Sequence, residues 1–218
     1  MIERSLLMNG PMVRSTLADL KTQTRRTRGM AVVNENPDAW ELVESFPGCV
    51  AFLCGQEIIT VKSPYGVPGD RLWVREAWRT IAENDHVRPR DLEHEHSPIW
   101  YEATEISGIH ADCGFGKLRP SMFMPRWASR LTLEVVSVRP ERLQYITEED
   151  AIAEGIRRMK DGSGVFVGGE GPGRLVTPWA TAREAFFDLW ESINGPGSWA
   201  TDPWVWRVEF KVLAKESA

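Results

Sequence analysis

The chain has 218 residues and a formal net charge of −5 at pH 7, with 42% hydrophobic and 26% charged residues. These values lie close to globular averages, so they exclude wholesale disorder, and the acidic balance argues against strong non-specific binding to duplex nucleic acid. No apolar run approaches the ~20 residues of a bilayer-spanning helix, and the N-terminus lacks a long apolar stretch and a small-residue cleavage site, so we expect neither a membrane partner nor a signal peptide.

The N-terminal half of the chain alternates short apolar segments with turns. Pro11 and a weak apolar stripe predict a short helix over residues 11–20, after which KTQTRRT is typical of an extended edge or loop. A helical turn is predicted for residues 40–46. The segments CVAFLCG and QEIITVKS predict a β-hairpin that turns at Gly55, and RLWVREAW and PIWYEA predict two further strands.

The C-terminal half contains the clearest elements. SRLTLEVVSVRPERL predicts a strand that ends where Pro140 breaks it. Thr147 is the predicted N-cap of a short helix that ends near Gly155. TPWATAREAFFDLWESING predicts the longest helix, with Thr177 as its cap and its end at Asn194. The alternation in DPWVWRVEFKVL predicts a last strand with one apolar face.

Several strands with one long helix indicate an α+β barrel rather than a doubly wound sheet. The whole chain, 1–218, is predicted to be a single domain with loop insertions near 79–99, 105–120 and 159–176. The Gly-rich part of the last insertion, DGSGVFVGGEGPGRL, is expected to be mobile.

The cysteines and histidines predict no metal site and no cofactor. Cys49, Cys54 and Cys113 are an odd number without CxxC spacing, which indicates a reducing, cytoplasmic compartment. His94 and His96 lie close together in a polar loop, but no acid–histidine spacing of a metal site accompanies them. The sequence also lacks a P-loop, a GxSxG elbow and an HExxH helix.

Three groups of segments resemble the ASCH superfamily of PUA-like β-barrel proteins, in particular its longer phage and prophage members. They are LADLKTQTRR near the N-terminus, PYGVPGDRLWVREAW after the first hairpin, and RLQYITEEDAIAEGI with the FFDLW helix and the strand WVWRVEFKVL. The resemblance implies a PUA-like mixed β-barrel with flanking helices, and a cleft that binds RNA or a modified nucleobase.

The superfamily motif Gly-x-Lys-x-x-Glu-x-Arg falls on residues 19–26. Lys21 and Arg26 match it, whereas Asp19 replaces the glycine and Thr24 replaces the glutamate. The N4-acetylcytidine amidohydrolases of this superfamily also carry Lys-Thr-x-Thr-x-Arg at that place. The resemblance to them implies catalytic roles for Lys21 and Thr24, together with Glu154 on the later short helix.

These three residue types suit amide hydrolysis. A threonine hydroxyl needs a base to become a nucleophile, a desolvated lysine can serve as that base, and a carboxylate can orient the lysine or handle the leaving amine's proton. Lys21 and Thr24 would face opposite sides of a strand, so the hypothesis requires a bend between them. The residues alone favour a solvated lysine at a helix end, a plain edge threonine and a surface glutamate at 154.

Further side chains are candidates for ligand binding, each with a structural alternative. They are Arg25, Arg26, Lys62, Tyr65, Arg75 and Glu76. The arginines, with Arg28, form either a phosphate-contacting edge or a solvated face. Tyr65 is a candidate for stacking on a base beside Lys62, unless both serve only the Pro- and Gly-rich turn. Charged neighbours such as Arg75 and Glu76 either face the pocket or pair with each other.

Three functions follow from these observations. The first is a module that binds RNA or a modified nucleoside without catalysis. The second is an amidohydrolase that removes the acyl group from N4-acetylcytidine-like nucleosides. The third is a metal-assisted ribonuclease, which ranks last because the sequence has no clear metal cluster.

Overall fold

The computed structural model describes residues 1–93, 98–104, 114–168 and 177–215, in which strands predominate over helices. The strands are β1 (Glu3–Leu7), β2 (Gln23–Arg26), β3 (Glu41–Phe46), β4 (Cys49–Cys54), β5 (Glu57–Lys62), β6 (Arg71–Arg75), β7 (Trp78–Arg79), β8 (Trp100–Tyr101), β9 (Leu131–Arg142), β10 (Arg157–Arg158), β11 (Phe166–Val167) and β12 (Trp204–Lys215). The α-helices are α1 (Gly10–Leu17), α2 (Ala31–Asn34), α3 (Glu148–Ala153) and α4 (Ala182–Asn194). Short 3-10 helices span Pro37–Ala39, Ala82–Asn84, Pro89–Asp91, Ser121–Phe123, Arg126–Ala128 and Leu143–Tyr145.

A five-stranded sheet with the order β1-β6-β9-β12-β2 organises the chain. Its centre is the antiparallel pair β9 and β12, which runs from Trp204 opposite Arg142 to Lys215 opposite Leu131. Parallel pairing joins β1 to β6, and β2 joins the other edge by antiparallel pairing with β12. The mixed α+β class is therefore confirmed. Among the described strands no sheet closes on itself, so the PUA-like barrel stays a prediction.

The main sheet separates two apolar cores. On one face, alternate residues of β12 (Trp204, Trp206, Val208 and Phe210) pack with the buried residues of β6, β9 and the β3-β4-β5 sheet. Phe52 of β4 meets Trp204 edge to face at 4.9 Å. On the other face, Val205 joins the core beneath α3 and α4, with Ala151, Phe186 and Trp190. The predicted apolar face of the last strand is confirmed, and helices cover the opposite face.

The structure corrects two predictions, a helical turn at residues 40–46 and the end of a strand at Pro140. Residues 40–46 do not form a helical turn, because Glu41–Phe46 is β3, which pairs with β4 from Glu41 opposite Leu53 to Phe46 opposite Cys49. Pro140 does not end β9, and it lies opposite Trp206 within the continuous pair with β12. The pairing of β9 with β6 covers only the start of β9, up to Glu134. Pro140 lies beyond that part, so its missing N–H removes no hydrogen bond to β6.

Helix α4 begins later than the sequence predicts, at Ala182 rather than after Thr177. Thr181 caps it in a capping box with Glu184. The preceding segment is extended because the backbone N–H and carbonyl of Trp179 bond to those of Phe166, at 2.9 and 2.8 Å. The other predicted cap is confirmed, since the Thr147 side chain accepts a bond from the Asp150 N–H at the start of α3.

Two of the predicted insertions contain structure of their own. Trp78 and neighbouring residues form a small third core with Leu92, Met124 and Ala128. The described part of the Gly-rich insertion includes β11, which pairs antiparallel with β10 just before the insertion. Residues 105–113 and 169–176 of the insertions lie outside the described residues. In the part of the chain that is described, no helix is long and apolar enough to cross a membrane.

The carboxylate of Asp70 joins the N-terminal segment to the turn before β6. It accepts bonds from the N–H groups of Ile2 at 2.7 Å and Val67 at 3.3 Å, and it pairs with Arg4 at 2.8 Å. The hydrogen bond from the Ile2 N–H makes the largest contribution to holding the pKa of Asp70 below its usual value, and the other donors add to it. This carboxylate therefore stabilises the native state above the unfolded-state pKa of about 4, and its contribution is lost as pH falls through the lower folded-state pKa.

We expect Asp70→Asn to lower the free energy of unfolding at pH 7 by about 1–3 kcal/mol, because the amide replaces a charged acceptor. The difference from wild type should shrink below about pH 4, where the wild-type carboxylate also becomes neutral. Urea unfolding at both pH values measures it. The exposed Asp91 gives a matched control, and an equal loss in Asp91→Asn would contradict the role assigned to Asp70.

Candidate functional site

The segment that carries Lys21 turns sharply between α1 and β2. Asp19 has φ +58°, in the left-handed region that glycine adopts most readily, and it occupies the glycine position of the superfamily motif. The N–H groups of Leu20 and Lys21 both bond to the carbonyl of Ser15. Thr22 then ties the backbone to the end of α3, through the Ala153 carbonyl at 2.9 Å. This turn lies before Lys21, whereas the catalytic hypothesis requires a bend between Lys21 and Thr24, where β2 already begins at Gln23.

A cavity of about 180 Å³ opens beside this turn and along the free edge of β2. Its lining comes from α1, β2 and the residues on either side of it, the end of α3, and α4. The lining residues are Met12, Lys21, Thr24, Arg25, Arg26, Thr27, Arg28, Glu154, Phe186, Leu189, Trp190, Ile193 and Asn194. Side chains from opposite ends of the sequence thus share one cavity, with basic residues on one wall and mostly apolar residues on the wall formed by α4.

Lys21 is buried in this cavity and paired with Glu154. Its ammonium lies 2.6 Å from the carboxylate of Glu154 and 2.8 Å from the same residue's main-chain carbonyl. The Lys21 side chain is 1% exposed. Burial lowers the pKa of Lys21, while the charge of Glu154 opposes that shift. Lys21 is therefore not a solvated lysine at a helix end, and loss of its proton is easier than in water.

Glu154 directly follows the last residue of α3, and the way this helix ends places Glu154 beside Lys21. Gly155 follows with φ +99°, and a side chain there would place its Cβ 2.6 Å from the hydroxyl oxygen of Ser15 on α1. The absence of a side chain at 155 thus lets α3 end against α1. Glu154 is 5% exposed, which excludes the alternative of a surface glutamate.

Thr24 lines the same cavity from the middle of β2. It is 1% exposed and lies opposite Val208 of β12. Within the described residues its hydroxyl makes no side-chain hydrogen bond, and Lys21 donates to Glu154 rather than to Thr24. The structure thus brings the three predicted catalytic residues to one cavity, with the Lys21–Glu154 contact formed and the Lys21–Thr24 contact not formed.

Arg25 contributes to the cavity lining, but its donors are committed to the protein. Its guanidinium pairs with Asp150 at 2.9 Å, with Glu141 at 2.7 Å and with Glu154 at 3.2 Å. It also donates to the side-chain oxygen of Gln23 at 3.0 Å. Since the side chain is 1% exposed, Arg25 holds the carboxylate of Glu154 in place rather than binding a ligand with free donors.

This network continues across the sheet to β12. Arg207 pairs with Asp150 at 2.8 Å and donates to Gln23 at 2.9 Å. The buried position of Glu141 raises the pKa of its carboxyl, which Arg25 opposes. Sequence reasoning missed Asp150, Glu141 and Arg207. Asp150 had only the signal of an acid in the first turn of α3. Glu141 and Arg207 had only the alternation of polar residues on strands, which usually indicates a solvated face, whereas here α3 covers that face.

Arg26 and Arg28 occupy the outer part of the cavity. Arg26 is partly buried and donates to the Leu7 carbonyl at 2.9 Å. Arg28 is exposed, and it forms no hydrogen bond or ion pair with any residue that the structure describes. The predicted basic run is therefore divided, because Arg25 is structural while Arg26 and Arg28 face the cavity.

Lys62 and Tyr65 do not line the cavity. Lys62 is exposed at the end of β5, and Tyr65 is 3% exposed within the main core. Burial raises the pKa of the Tyr65 hydroxyl, and the charges of Arg26 and Arg28 oppose the rise. Tyr65 therefore lies near the two arginines, but its ring packs in the core rather than offering a surface for stacking.

Arg75 and Glu76 also lie away from the cavity, and they do not pair with each other. Arg75 lies over the ring of Trp73 at 4.5 Å. Glu76 forms a buried two-point ion pair with Arg130, at 2.8 and 2.9 Å, and Arg130 in turn stacks on Tyr101. Burial raises the pKa of Glu76, with Arg130 opposing. These contacts join the third core to β6, which is a structural role.

The described residues contain no group of three or more histidine, cysteine or acidic side chains that could hold a metal ion. His94 and His96, which lie close together in the sequence, are outside the described residues. The chemistry that the described cavity can support is therefore that of an amine, a hydroxyl and a carboxylate.

The Lys21–Glu154 pair predicts unequal costs for removing its two members. Glu154→Ala leaves the Lys21 ammonium buried with one carbonyl acceptor, and we expect it to cost about 3–5 kcal/mol of unfolding free energy. Lys21→Met should cost less, because Arg25 still neutralises Glu154. Urea unfolding at pH 7 compares the two, with the exposed Glu149→Ala on α3 as the control. Equal costs for all three variants would contradict the pairing.

Comparisons of the chain with models of protein families, with curated proteins and with solved structures gave no match. The resemblance to the ASCH superfamily therefore rests on the sequence motifs alone. What the resemblance implies about activity stays a prediction.

Proposed function

We propose that this protein is a small amidohydrolase that removes the acyl group from an N-acylated nucleobase of the N4-acetylcytidine type. The observation that carries the proposal is the convergence of Lys21, Thr24 and Glu154 on one cavity, although 133 positions separate the lysine from the glutamate. A buried lysine whose pKa is lowered is a residue type that enzymes use as a base.

The proposed reaction assigns one step to each side chain. Neutral Lys21 accepts the proton of the Thr24 hydroxyl as the oxygen attacks the acyl carbon. The bond from that carbon to the exocyclic nitrogen breaks, and the amine leaves with the proton from Lys21. Water then hydrolyses the Thr24 ester and releases the carboxylic acid. Glu154 orients the Lys21 amine throughout, and substrate binding has to bring Thr24 within reach of it.

The size and lining of the cavity support a substrate of this kind. At about 180 Å³ it is smaller than the roughly 300 Å³ of the smallest sites for drug-sized ligands. It suits a single base with a short acyl group. The α4 wall, with Phe186, Leu189 and Trp190, offers apolar and aromatic surface to the flat faces of a base.

Hydrolysis is tested with N4-acetylcytidine, whose ultraviolet spectrum changes on loss of the acetyl group. We expect turnover by wild type and a loss of at least about 100-fold in kcat/KM for Thr24→Val and for Lys21→Met. Thr22→Val is the matched control, because Thr22 is exposed and contributes backbone bonds that the change preserves. No turnover by wild type, or equal rates in Thr24→Val and Thr22→Val, would contradict the proposal.

The pH dependence tests the role of Lys21 separately. If the neutral amine is the base, kcat/KM rises with pH as Lys21 loses its proton and levels off above its pKa. Because burial lowers that pKa, the plateau should begin below the ordinary lysine value of about 10.4. Initial rates between about pH 6 and about pH 10 measure this. A rate that falls with rising pH over that range would exclude Lys21 as the base.

Binding without catalysis is the second candidate, and one observation favours it. Lys21 directs two hydrogen bonds to Glu154 and none to Thr24 in the described structure, as in a site that only holds its ligand. This candidate predicts affinity for short RNA that weakens as salt rises. Filter binding at two salt concentrations decides it, with Arg26→Ala as the variant. Salt-sensitive binding without N4-acetylcytidine turnover would replace the enzyme proposal with this one.

A further inference from the structure

The charges around the cavity are strongly unbalanced. Four basic side chains line it, Lys21, Arg25, Arg26 and Arg28, against the single acid Glu154. The protein as a whole carries a formal net charge of −5, so this concentration of positive charge is local. Glu154 does not offset the outer part of the cavity, because its two oxygens are taken by Lys21 and Arg25.

Only the outer two of these basic groups remain to bind a ligand. Arg25 is committed to three carboxylates, and Lys21 is committed to Glu154. Arg26 donates one guanidinium nitrogen to the Leu7 carbonyl. Arg28 is exposed and pairs with none of the residues described. An exposed arginine without a partner at the entrance of a cavity is well suited to bind an anion.

Arg26 and Arg28 act on a common region. Arg26 ends β2, Arg28 lies in the turn of residues 27–30 that follows it, and both side chains line the cavity. The charges of both also oppose the raised pKa of Tyr65, which is buried in the core. Their fields therefore add at the cavity entrance.

One feature of the cavity opposes an anion. The C-terminal turn of α4 contributes Ile193 and Asn194 to the lining, and a helix C-terminus carries roughly half a negative charge. Two full positive charges at Arg26 and Arg28 outweigh that half charge. The balance at the entrance therefore favours a negatively charged group.

We propose that the cavity entrance is a phosphate site formed by Arg26 and Arg28, and that the ligand is a nucleotide rather than a free nucleoside. This inference rests on the proposed function, since it assigns the base to the inner cavity. A cavity of about 180 Å³ accommodates the base and leaves the sugar and its phosphate at the entrance. The phosphate belongs either to a free monophosphate or to an RNA strand, which share the same chemistry at this position.

The test compares N4-acetylcytidine with its 5′-monophosphate. We expect wild type to prefer the monophosphate in kcat/KM by on the order of tenfold, as one charge-assisted contact provides, and Arg28→Ala to lose most of that preference. Arg88→Ala is the matched control, because Arg88 is also exposed and without a described partner but does not line the cavity. It should keep the preference. A short oligonucleotide containing one N4-acetylcytidine, preferred over the monophosphate, would assign the phosphate to RNA.

Failure of this inference and failure of the proposed function are distinguishable. Turnover of both substrates with equal kcat/KM in wild type overturns the phosphate site and leaves the hydrolase intact. If neither substrate is hydrolysed, calorimetry with cytidine 5′-monophosphate and cytidine takes the place of kinetics. Tighter binding of the monophosphate, lost in Arg28→Ala and kept in Arg88→Ala, supports the phosphate site. Equal affinities overturn it.

Discussion

An arginine and a lysine that are almost wholly removed from water determine how the rest of this protein is arranged. Arg25 and Lys21 are each 1% exposed in their side chains. Burying such charges costs several kcal/mol per ion unless partners compensate. The compensation here comes from Glu141 on β9, Asp150 on α3 and Glu154 at the end of α3. The native fold is therefore the one in which β2, β9 and the end of α3 meet.

The same arrangement leaves one side of β2 available. Among the described strands β2 lies at the edge of the main sheet and pairs only with β12, and three of its residues line the cavity together with residues of α1 and α4. Exposed strand edges invite unwanted pairing, and charged side chains such as Arg26 and Arg28 counter it. Protection of this edge against unwanted pairing and the proposed phosphate binding thus depend on the same two arginines.

The candidate catalytic residues are also part of what stabilises the native state. Burial lowers the pKa of Lys21, and Glu154, which opposes that shift, is itself held by Arg25. A change at Arg25 would therefore alter both stability and the environment that sets the pKa of Lys21. Activity and unfolding free energy have to be measured on the same variants for the two effects to be separated.

Much of the local structure followed from the sequence by itself. The hairpin at Gly55, the cap at Thr147 and the apolar alternation of the last strand are all present, because turns, caps and period-2 patterns depend on residues close in the chain. Only the tertiary structure decided the rest. In the tertiary structure β9 continues through Pro140, and α4 begins later than predicted because Phe166 pairs with Trp179. The polar side chains of Gln23, Arg25 and Arg207 form a hydrogen-bonded network under α3 rather than a solvated face. Those outcomes depend on which distant segments cover a given face, and that information lies in no local pattern.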